Sequence, residues 1–215
     1  MNILLFIHCS SFTLKSMQNS TTRQTILEAA RARFGHYGFN KTTMAEIAKD
    51  CGMSAANIYR HFNGKNDIIA VLATNLLKRQ ETRLGEIVGC QSSSYSEKLR
   101  KFFTESLAIT RQYATEQPKM KEMVDFICQE RFDLVQSHKK IKLELIETIL
   151  REGTAKGEFV IAETDMASTA EAVLDSTVMF HTPLFMDMYS AEDLKSSCDN
   201  IINLLLAAIT QRQQD

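Results

Sequence analysis

Apolar residues recur every three or four positions along most of the chain, which is the spacing that places side chains on one face of a helix. Ile26, Leu27, Ala30 and Phe34 form the first such stripe. The chain contains only 2 Pro and 8 Gly, and a fold of many short strands needs more turn residues than that. The pattern therefore predicts an all-α fold with about nine helices.

The N-terminal residues stand apart from this pattern. Their apolar run, residues 3–7, has no basic residue before it, and it is too short for a signal segment or a membrane span. Thr21 and Gln24 form a predicted capping box that starts the first helix. We therefore expect residues 1–19 to be a disordered or mis-assigned extension, and translation starting at Met17 would explain it.

Capping and turn residues divide the segment that follows. Gly38 is suited to end the first helix, and Thr43 with Glu46 forms a second capping box that starts the next one. Ser54 is a good N-cap for a third helix, which is predicted to run to about Phe62. These signals predict a small helical domain over residues 20–65.

The rest of the chain is also predicted to be helical. A linking helix is expected over residues 66–88, and the Ser-rich segment 89–96 is the best turn candidate. Beyond it we expect a helix stopped by Pro118, a kinked helix over 119–136, a helix ending near Gly153 or Gly157, a helix closed by Pro183 and a last helix. Residues 89–215 are therefore predicted to form a second domain.

The segment 43–62 has the residues that a helix–turn–helix requires. In this motif two helices cross steeply, so that the second can enter the major groove of DNA. The crossing needs a small residue (Ala48), a tight turn (Gly52) and apolar anchors behind the second helix (Met53 and Ile58). Together with Ile47, these five positions agree with the motif, and a generic helical hairpin rarely matches all of them.

The charge distribution favours a polyanionic partner for this segment. The net charge of the whole chain is −1, yet residues 22–65 hold seven Lys and Arg against three Asp and Glu. A mildly basic segment is often only a solvated face. Its coincidence with the helix–turn–helix pattern instead supports binding to double-stranded DNA.

The outer face of the third helix is the part expected to read bases. Ala55 and Ala56 let the backbone approach closely and touch thymine methyl groups, and Asn57 suits adenine, unless it is only a polar surface residue. Other residues nearby suit phosphate oxygens, which position the protein without specifying sequence. The predicted DNA-binding set is Thr42, Thr43, Ser54, Ala55, Ala56, Asn57, Tyr59, Arg60, His61 and Lys65.

A dense set of positions between residues 25 and 72 matches a known family pattern. The set is Ala29, Ala30, Phe34, Gly38, Phe39, Thr42, Thr43, Ile47, Ala48, Gly52, Ser54, Ile58, Tyr59, His61, Phe62 and Lys65. The segment thereby resembles the N-terminal domain of the TetR family of bacterial transcriptional repressors. The family often has Lys-Gly or a similar pair where Ala55 and Ala56 stand, so this chain departs from the pattern at the predicted base contacts.

The resemblance implies a three-helix DNA-binding head, a linking fourth helix and an all-helical C-terminal domain. It also implies a homodimer that binds a palindromic operator and is released by a small molecule. The last two helices would supply the dimer interface as a four-helix bundle, with these residues lining it: Ala170, Val173, Leu174, Val178, Ile201, Leu205, Ala208 and Ile209.

A partly apolar small-molecule effector is expected between the middle helices. The predicted pocket residues are Phe102, Phe103, Met123, Phe126, Phe180, His181 and Phe185. Ordinary core packing explains aromatic and Met residues at helical spacing equally well. His181 lies next to a helix-ending Pro in apolar surroundings, where it is either a polar anchor for the ligand or a hydrogen-bonded core residue.

The sequence gives an enzyme no support. It contains no Gly-rich phosphate loop, no HExxH, no GxSxG and no carboxylate pair within a supporting motif, and no cofactor is predicted. The five Cys form no CxxC and no zinc-type cluster, so reduced thiols in a cytoplasmic protein are expected. A redox-responsive regulator using Cys51 or Cys128 is the alternative. A metal-responsive regulator has little support, because Cys128, Glu130, His138 and His181 lack metal-ligand spacing, and no metal site is predicted.

Overall fold

The structure of the chain is a computed structural model, and it describes residues 6–116 and 119–210. Over these residues the regular secondary structure is helical, and the helices are joined by turns and loops with one isolated bridge between Phe159 and Thr210. The nine α-helices in this part of the chain confirm the predicted all-α fold. They are α1 (Phe6–Tyr37), α2 (Met44–Asp50), α3 (Ala55–Tyr59), α4 (Lys65–Gly89), α5 (Tyr95–Glu116), α6 (Met120–Glu130), α7 (Phe132–Ala155), α8 (Met166–Ser176) and α9 (Ala191–Ile209). Short 3-10 turns cover Glu163–Asp165, Val178–Phe180 and Pro183–Phe185.

Helix boundaries differ from the predictions at four places, one of which is α8, which ends at Ser176 and not at Pro183. Helix α1 begins at Phe6 and not near Thr21, because no Pro or Gly interrupts residues 6–20 and a capping signal does not by itself stop a helix from extending. Helix α3 ends at Tyr59, with turns before Phe62. The predicted kink lies at Arg131, whose φ of −135° and ψ of 44° are not helical and separate α6 from α7. Residues 1–5 of the predicted extension and the predicted helix stop, Pro118, lie outside the described residues.

The chain divides into two compact units, the first ending at Ala73 and the second beginning at Thr74. The N-terminal unit is built around apolar residues of α1 to α4, in which α1 packs on α2 and α2 packs on α3. Phe34 and Phe39 meet edge-to-face with ring centroids 5.3 Å apart, an arrangement that aromatic rings favour. The fully buried residues of this unit include Ile26, Ala30, Phe34, Ile47, Ile58, Ile68 and Ile69.

The C-terminal unit has a larger core made by α5, α7, α8 and α9. Helix α7 packs against α5, α6 and α8, and α9 packs against α5. The apolar stripe of α7 contributes Ile146, Ile149 and Leu150, all fully buried. Burying side chains of this size stabilises a fold by about 1.5–3 kcal/mol each, so this core holds the second unit together.

The end of α7 is fixed by a Gly-based cap. Gly157 has a φ of +76°, its N–H donates to Thr154 O, and the N–H of Glu158 donates to Gly153 O. These two bonds form a Schellman motif, which satisfies the last carbonyls of a helix. The cap brings Phe159 back over Gly153, where a Cβ atom would overlap the Phe159 ring.

The Glu158 side chain also caps the start of α5. Its carboxylate accepts hydrogen bonds from the N–H groups of Tyr95, at 2.9 Å, and of Ser96, at 3.1 Å. These N–H groups belong to the first turn of α5, which lacks partners within the helix and favours a negative charge. We call this contact the Glu158 clasp, and it joins segments more than 60 residues apart in sequence.

Over the residues that the structure describes, no helix combines the length and the apolar character that crossing a membrane requires.

Candidate DNA-binding site

The turn between α2 and α3 has the geometry of a tight helix–turn–helix. Gly52 adopts a φ of +64°, a conformation that a residue with a Cβ rarely takes. Its N–H donates to Lys49 O at 3.1 Å, and the N–H of Met53 donates to Ala48 O at 2.9 Å. The pair of bonds is a Schellman motif. It ends α2 and redirects the chain within three residues, as the sequence predicted for Gly52.

Side-chain caps start both helices of the motif. The Thr43 hydroxyl accepts a hydrogen bond from the N–H of Glu46, and the Glu46 carboxylate accepts from the N–H of Thr43 at 2.9 Å, so the predicted capping box is confirmed. Ser54 Oγ accepts from the N–H of Asn57 at 3.3 Å. Both caps satisfy N–H groups that would otherwise lack partners. They fix where α2 and α3 begin.

Helix α3 is held from behind by buried residues. Ile58 has no exposed surface and Phe62 has 2%. Ala48 of α2 is 2% exposed, which agrees with its predicted role as the small residue at the crossing. Arg23 of α1 secures the end of this segment, because its guanidinium donates to His61 O at 2.8 Å and lies over the Phe62 ring.

The opposite side of α3 faces solvent. Ala55, Ala56 and Arg60 are exposed, and Tyr59 retains 54% of its surface. Asn57 and the side chain of His61 are half-buried at the edge of this face. The structure therefore brings the predicted residues of α3 onto one side of a short helix, with small residues next to its N-terminus.

Burial removes Thr42 from the predicted DNA-binding set. Its side chain is 1% exposed, and its hydroxyl donates to Gly38 O at 2.8 Å. Gly38 has a φ of +93°, so this bond closes the turn after α1. Thr42 shapes the loop before α2, and its exposed neighbour Thr43 is the residue that faces outward.

Lys65 is bound to the protein's own backbone. Its ammonium donates to Phe39 O at 3.0 Å and to Asn40 O at 3.3 Å, and it lies 4.6 Å from the centre of the Phe39 ring. These contacts tie the loop before α2 to the start of α4. An ammonium carries three N–H donors, so Lys65 can also meet a phosphate while holding the loop.

Arg33 is paired with acidic residues of α2. Its guanidinium donates to both oxygens of Asp50, at 2.6 and 2.9 Å, and approaches Glu46 at 3.3 Å. The hydrogen bond from Arg33 lowers the pKa of Asp50, and hydrogen bonds from Thr43 lower the pKa of Glu46. Arg33 therefore joins α1 to α2 and adds little to the basic charge available to a partner.

The predicted pocket residues fall into two groups in the C-terminal unit. Phe102, Phe103 and Phe180 have no exposed surface and belong to the same core cluster. Met123 and Phe126 on α6 are half-buried, as are His181 and Phe185, and α6 packs against the turn that contains Phe185. The structure thus places all seven near the same part of this unit, with the first three as core.

A buried polar cluster lies beside these residues and was not predicted. It contains Glu81 of α4, His138 and Lys142 of α7, and His181, and we call it the Lys142 cluster. His138 Nδ1 lies 2.8 Å from Glu81 Oε1, and His181 Nε2 lies 3.4 Å from Leu174 O. Lys142 is only 4% exposed. Its sequence signal is a Lys one turn before Ile146 on the apolar stripe of α7.

Burial sets the charges of this cluster. Burial, together with the smaller effect of the nearby Lys142 charge, lowers the pKa of His138 to about 3 and that of His181 to about 3. Burial also lowers the pKa of Lys142 to about 8, against the attraction of Glu81. At neutral pH the two imidazoles are therefore uncharged and Lys142 is still mostly an ammonium.

Most of the α8 residues predicted for the dimer interface are buried within one chain. Ala170, Val173 and Leu174 are each 2% exposed and belong to the core, and Ile209 of α9 is 8% exposed. These four residues are therefore removed from the predicted interface, because side chains that their own chain already covers have little exposed surface with which to contact a second chain. Val178 stays 45% exposed, Ile201 and Leu205 are half-buried, and Ala208 is exposed.

The two Cys residues considered for redox sensing, Cys51 and Cys128, are expected to be poorly reactive thiols. Burial raises the pKa of Cys51 and of Cys128, and a thiol reacts through its thiolate. Hydrogen bonds from Ser92 and Ser93 instead lower the pKa of Cys90 to about 7. No group of three or more His, Cys, Asp or Glu residues in the described parts of the chain is arranged to hold a metal ion.

Comparison with known families matches both units. Residues 26–72 match the family described as "Bacterial regulatory proteins, tetR family". Residues 96–202 match the family described as "Tetracyclin repressor-like, C-terminal domain". The two matches together span the larger part of the chain, so the resemblance is not limited to the helix–turn–helix.

Individual proteins support the same assignment. The HTH-type transcriptional repressor KstR2 of Mycolicibacterium smegmatis is 28% identical over 146 residues, which cover 66% of this chain and 69% of that protein. The solved structure of the ketosteroid transcriptional regulator KstR2 of Mycobacterium tuberculosis superposes with a TM-score of 0.57 at 21% identity, covering 88% of this chain and 95% of that one. The repressor SmeT of the Stenotrophomonas maltophilia multidrug efflux pump SmeDEF gives a TM-score of 0.66 at 20% identity, covering 89% and 91%. With both units matched, the chain belongs to the TetR family of bacterial transcriptional regulators.

Proposed function

We propose that this regulator is a homodimeric repressor that binds a palindromic operator through α3 and is released by a partly apolar small molecule. The observation that carries the proposal is the exposed face of α3, with Ala55 and Ala56 at its start and Ile58 holding it from behind. A helix must bring its backbone close to the bases to read the major groove. Two consecutive exposed Ala residues permit that approach.

The remaining contacts divide between phosphates and bases. Asn57 lies at the edge of the exposed face, where its amide suits the donor and acceptor of adenine. Tyr59, Arg60 and His61 follow it toward the end of the segment and suit phosphate oxygens. Thr43 and Lys65, at the starts of α2 and α4, flank the motif and suit phosphates as well.

Selection from a random DNA library tests the proposal without knowledge of the target gene. The full chain would be incubated with random duplexes at low and at physiological salt, and the bound fraction would be amplified and sequenced. We expect enrichment of a sequence with two-fold symmetry and half-sites about one helical turn apart. Enrichment of no sequence at either salt concentration would contradict operator binding.

Arg60 and Asn57 separate the two kinds of contact. We expect Arg60→Gln to weaken binding to all duplexes by roughly tenfold. The slope of log affinity against log salt should also become shallower, by about 1 for each phosphate that Arg60 no longer neutralises.

Asn57→Ala is expected to relax the preferred base at one position of each half-site, at a cost of about 1–3 kcal/mol. Fluorescence anisotropy on the selected operator and its single-base variants measures both effects.

The outcome that contradicts these roles is specific to each residue. An Asn57→Ala variant with unchanged affinity and unchanged base preference would remove its reading role. An Arg60→Gln variant with an unchanged salt slope would remove its phosphate contact.

Helix α9 supports the dimer part of the proposal. Leu204 is 71% exposed, and Ile201, Leu205 and Ala208 lie around it as half-buried or exposed residues. An apolar stripe of this kind on a helix surface is typical of an association surface. We propose that α9 provides most of the interface, with the exposed Ala167 and Val178 contributing from the α8 region.

Leu204→Glu tests this surface. A carboxylate at the centre of an apolar interface loses its hydration, so the dissociation constant of the dimer is expected to rise at least about tenfold. Sedimentation velocity across a dilution series measures the change. Phe132→Glu, at a site that is 54% exposed on α7, is the matched control and should leave the dimer intact. Equal dimerisation of all three proteins would contradict an α9 interface.

The effector part of the proposal is supported by relatives whose names identify apolar ligands or targets. One solved relative is described as a ketosteroid transcriptional regulator, and another was solved as a SmeT–triclosan complex. In this chain, Met123 and Phe126 are half-buried on α6, and half-buried Phe185 belongs to a turn that packs against both α5 and α6. We propose that they contact a ligand of comparable apolar character.

A further inference from the structure

The Lys142 cluster contains an ammonium whose hydrogen-bonding capacity is not used by the described residues. Lys142 is 4% exposed, and neither a hydrogen bond nor an ion pair to its Nζ is present in the described part of the chain. A buried charge is normally paired, because an unpaired one is costly. Glu81 attracts Lys142 electrostatically but makes its hydrogen bond with His138.

The ammonium is also not sealed within the core. Among the described side chains, Thr154 Oγ1 is the one fully occluded N or O atom that lacks a hydrogen-bond partner. Lys142 Nζ makes no hydrogen bond to a described residue and is not such an atom, so it is not fully occluded. The Lys142 side chain is thus almost completely covered, while its charged end keeps some exposure for a ligand to meet.

Apart from Glu81, the other members of the Lys142 cluster and its neighbours along the chain are apolar or uncharged. Ile146, one turn after Lys142 on the same stripe, and Phe180, which precedes His181, are both fully buried. His138 and His181 are neutral at neutral pH because burial lowers the pKa of each to about 3. The Glu81 carboxylate is already engaged by His138, whose Nδ1 lies 2.8 Å from Glu81 Oε1. The donor left for a ligand is therefore the Lys142 ammonium.

We infer that the effector carries an acidic group, a carboxylate or an equivalent anion, that docks on Lys142 while its apolar remainder lies against the aromatic core. The inference deepens the proposed function and rests on it in one respect, which is that the bound acid is the molecule that releases the operator. The binding of an acid to this site is a property of the C-terminal unit alone. A charged hydrogen bond in a covered site accounts for a preference for an acid over its neutral amide by roughly tenfold or more.

The test uses matched pairs of simple probes on the full chain without DNA. Straight-chain carboxylates from hexanoate to dodecanoate and the corresponding amides would be titrated by calorimetry at pH 7. We expect at least one acid to bind roughly tenfold or more tightly than its own amide. Lys142→Met, which keeps most of the apolar stem, should remove that preference, and Lys142→Arg should retain it.

Lys140→Met is the matched control, since Lys140 lies on the same helix with 79% of its side chain exposed, and it should leave the preference unchanged. The inference is overturned when no acid binds better than its amide, or when Lys142→Met keeps the preference. Circular dichroism checks that each variant folds. If a variant does not fold, the comparison of acid with amide on the unaltered chain still tests the preference for an acid. Operator binding is measured separately, so a chain that fails to bind DNA but prefers the acid contradicts the proposed function and leaves the anion site in place.

Discussion

An Ala56→Glu variant is expected to fold like the original chain and to lose operator binding by roughly 100-fold or more, since each half-site would forfeit about 1–3 kcal/mol. Ala56 is exposed near the start of α3, so a larger side chain displaces no core residue. In the complex, the Glu side chain would hold the backbone away from the bases and bring a negative charge near the phosphates. Both effects oppose the close approach that groove reading needs. Anisotropy on the selected operator, together with thermal melting, separates loss of binding from loss of folding.

Ala191→Glu provides the matched control for this change. Ala191 is the exposed first residue of α9, so the substitution adds the same charge and bulk at the start of a helix outside the helix–turn–helix. A negative charge is well tolerated in the first turn of a helix. The operator affinity of this variant should equal that of the original chain. Operator affinity retained by Ala56→Glu would show that α3 does not enter the groove with this face.

Gly153→Ala is expected to have the largest effect on stability. The added Cβ would overlap the Phe159 ring and lie 3.0 Å from Tyr95 Cβ. Phe159 is 2% exposed and belongs to the core, so its ring has little room to move. Overpacking of this kind costs about 1–3 kcal/mol, partly offset by the better helix propensity of Ala, about 1 kcal/mol. We expect a net loss of free energy of unfolding, measured by urea denaturation.

Gly85→Ala measures the gain in helix propensity alone, without the steric overlap expected at Gly153. Gly85 lies within α4, and a Cβ there would meet no atom within 4 Å. The substitution should stabilise the chain by up to about 1 kcal/mol. Equal effects of the two substitutions would show that the contact between Gly153 and Phe159 is not tight in solution.

The sequence allowed good prediction wherever a local signal decides the structure. The Thr43–Glu46 capping box, the Ser54 cap and the Gly52 turn act within a few residues, and the structure reproduces each of them. Helix ends failed where local signals were ambiguous. Thr21 has capping chemistry but lies inside α1, and the break between α6 and α7 falls at Arg131, where neither Pro nor Gly marks it.

Side-chain roles were harder to predict, because they depend on which helices pack together. Thr42 belongs to the family pattern, yet its hydroxyl is used within the turn after α1. The stripe of Ala170, Val173 and Leu174 has the same periodicity whether it faces its own core or a partner, and here it faces its own core. Periodicity identifies a buried face without identifying what covers it.

The burial of the polar Lys142 cluster was also not predictable from the sequence. A Lys among apolar residues of a helix can extend its stem and reach water, so the sequence alone does not mark it as buried. Only the packing of α7 covers Lys142 and lowers its pKa to about 8. The nearby Glu81, which hydrogen-bonds to His138, comes from a helix that lies far away in sequence.

The Glu158 clasp makes the folding of the C-terminal unit depend on a long-range event. The N–H groups of Tyr95 and Ser96 receive the Glu158 carboxylate only after the chain has run through α6 and α7 and returned. Closing a loop of that length costs entropy that local contacts do not repay. The N–H groups of Tyr95 and Ser96 are therefore satisfied late, and a nascent chain released before residue 158 would keep only the local cap that Ser94 Oγ gives the N–H of Glu97.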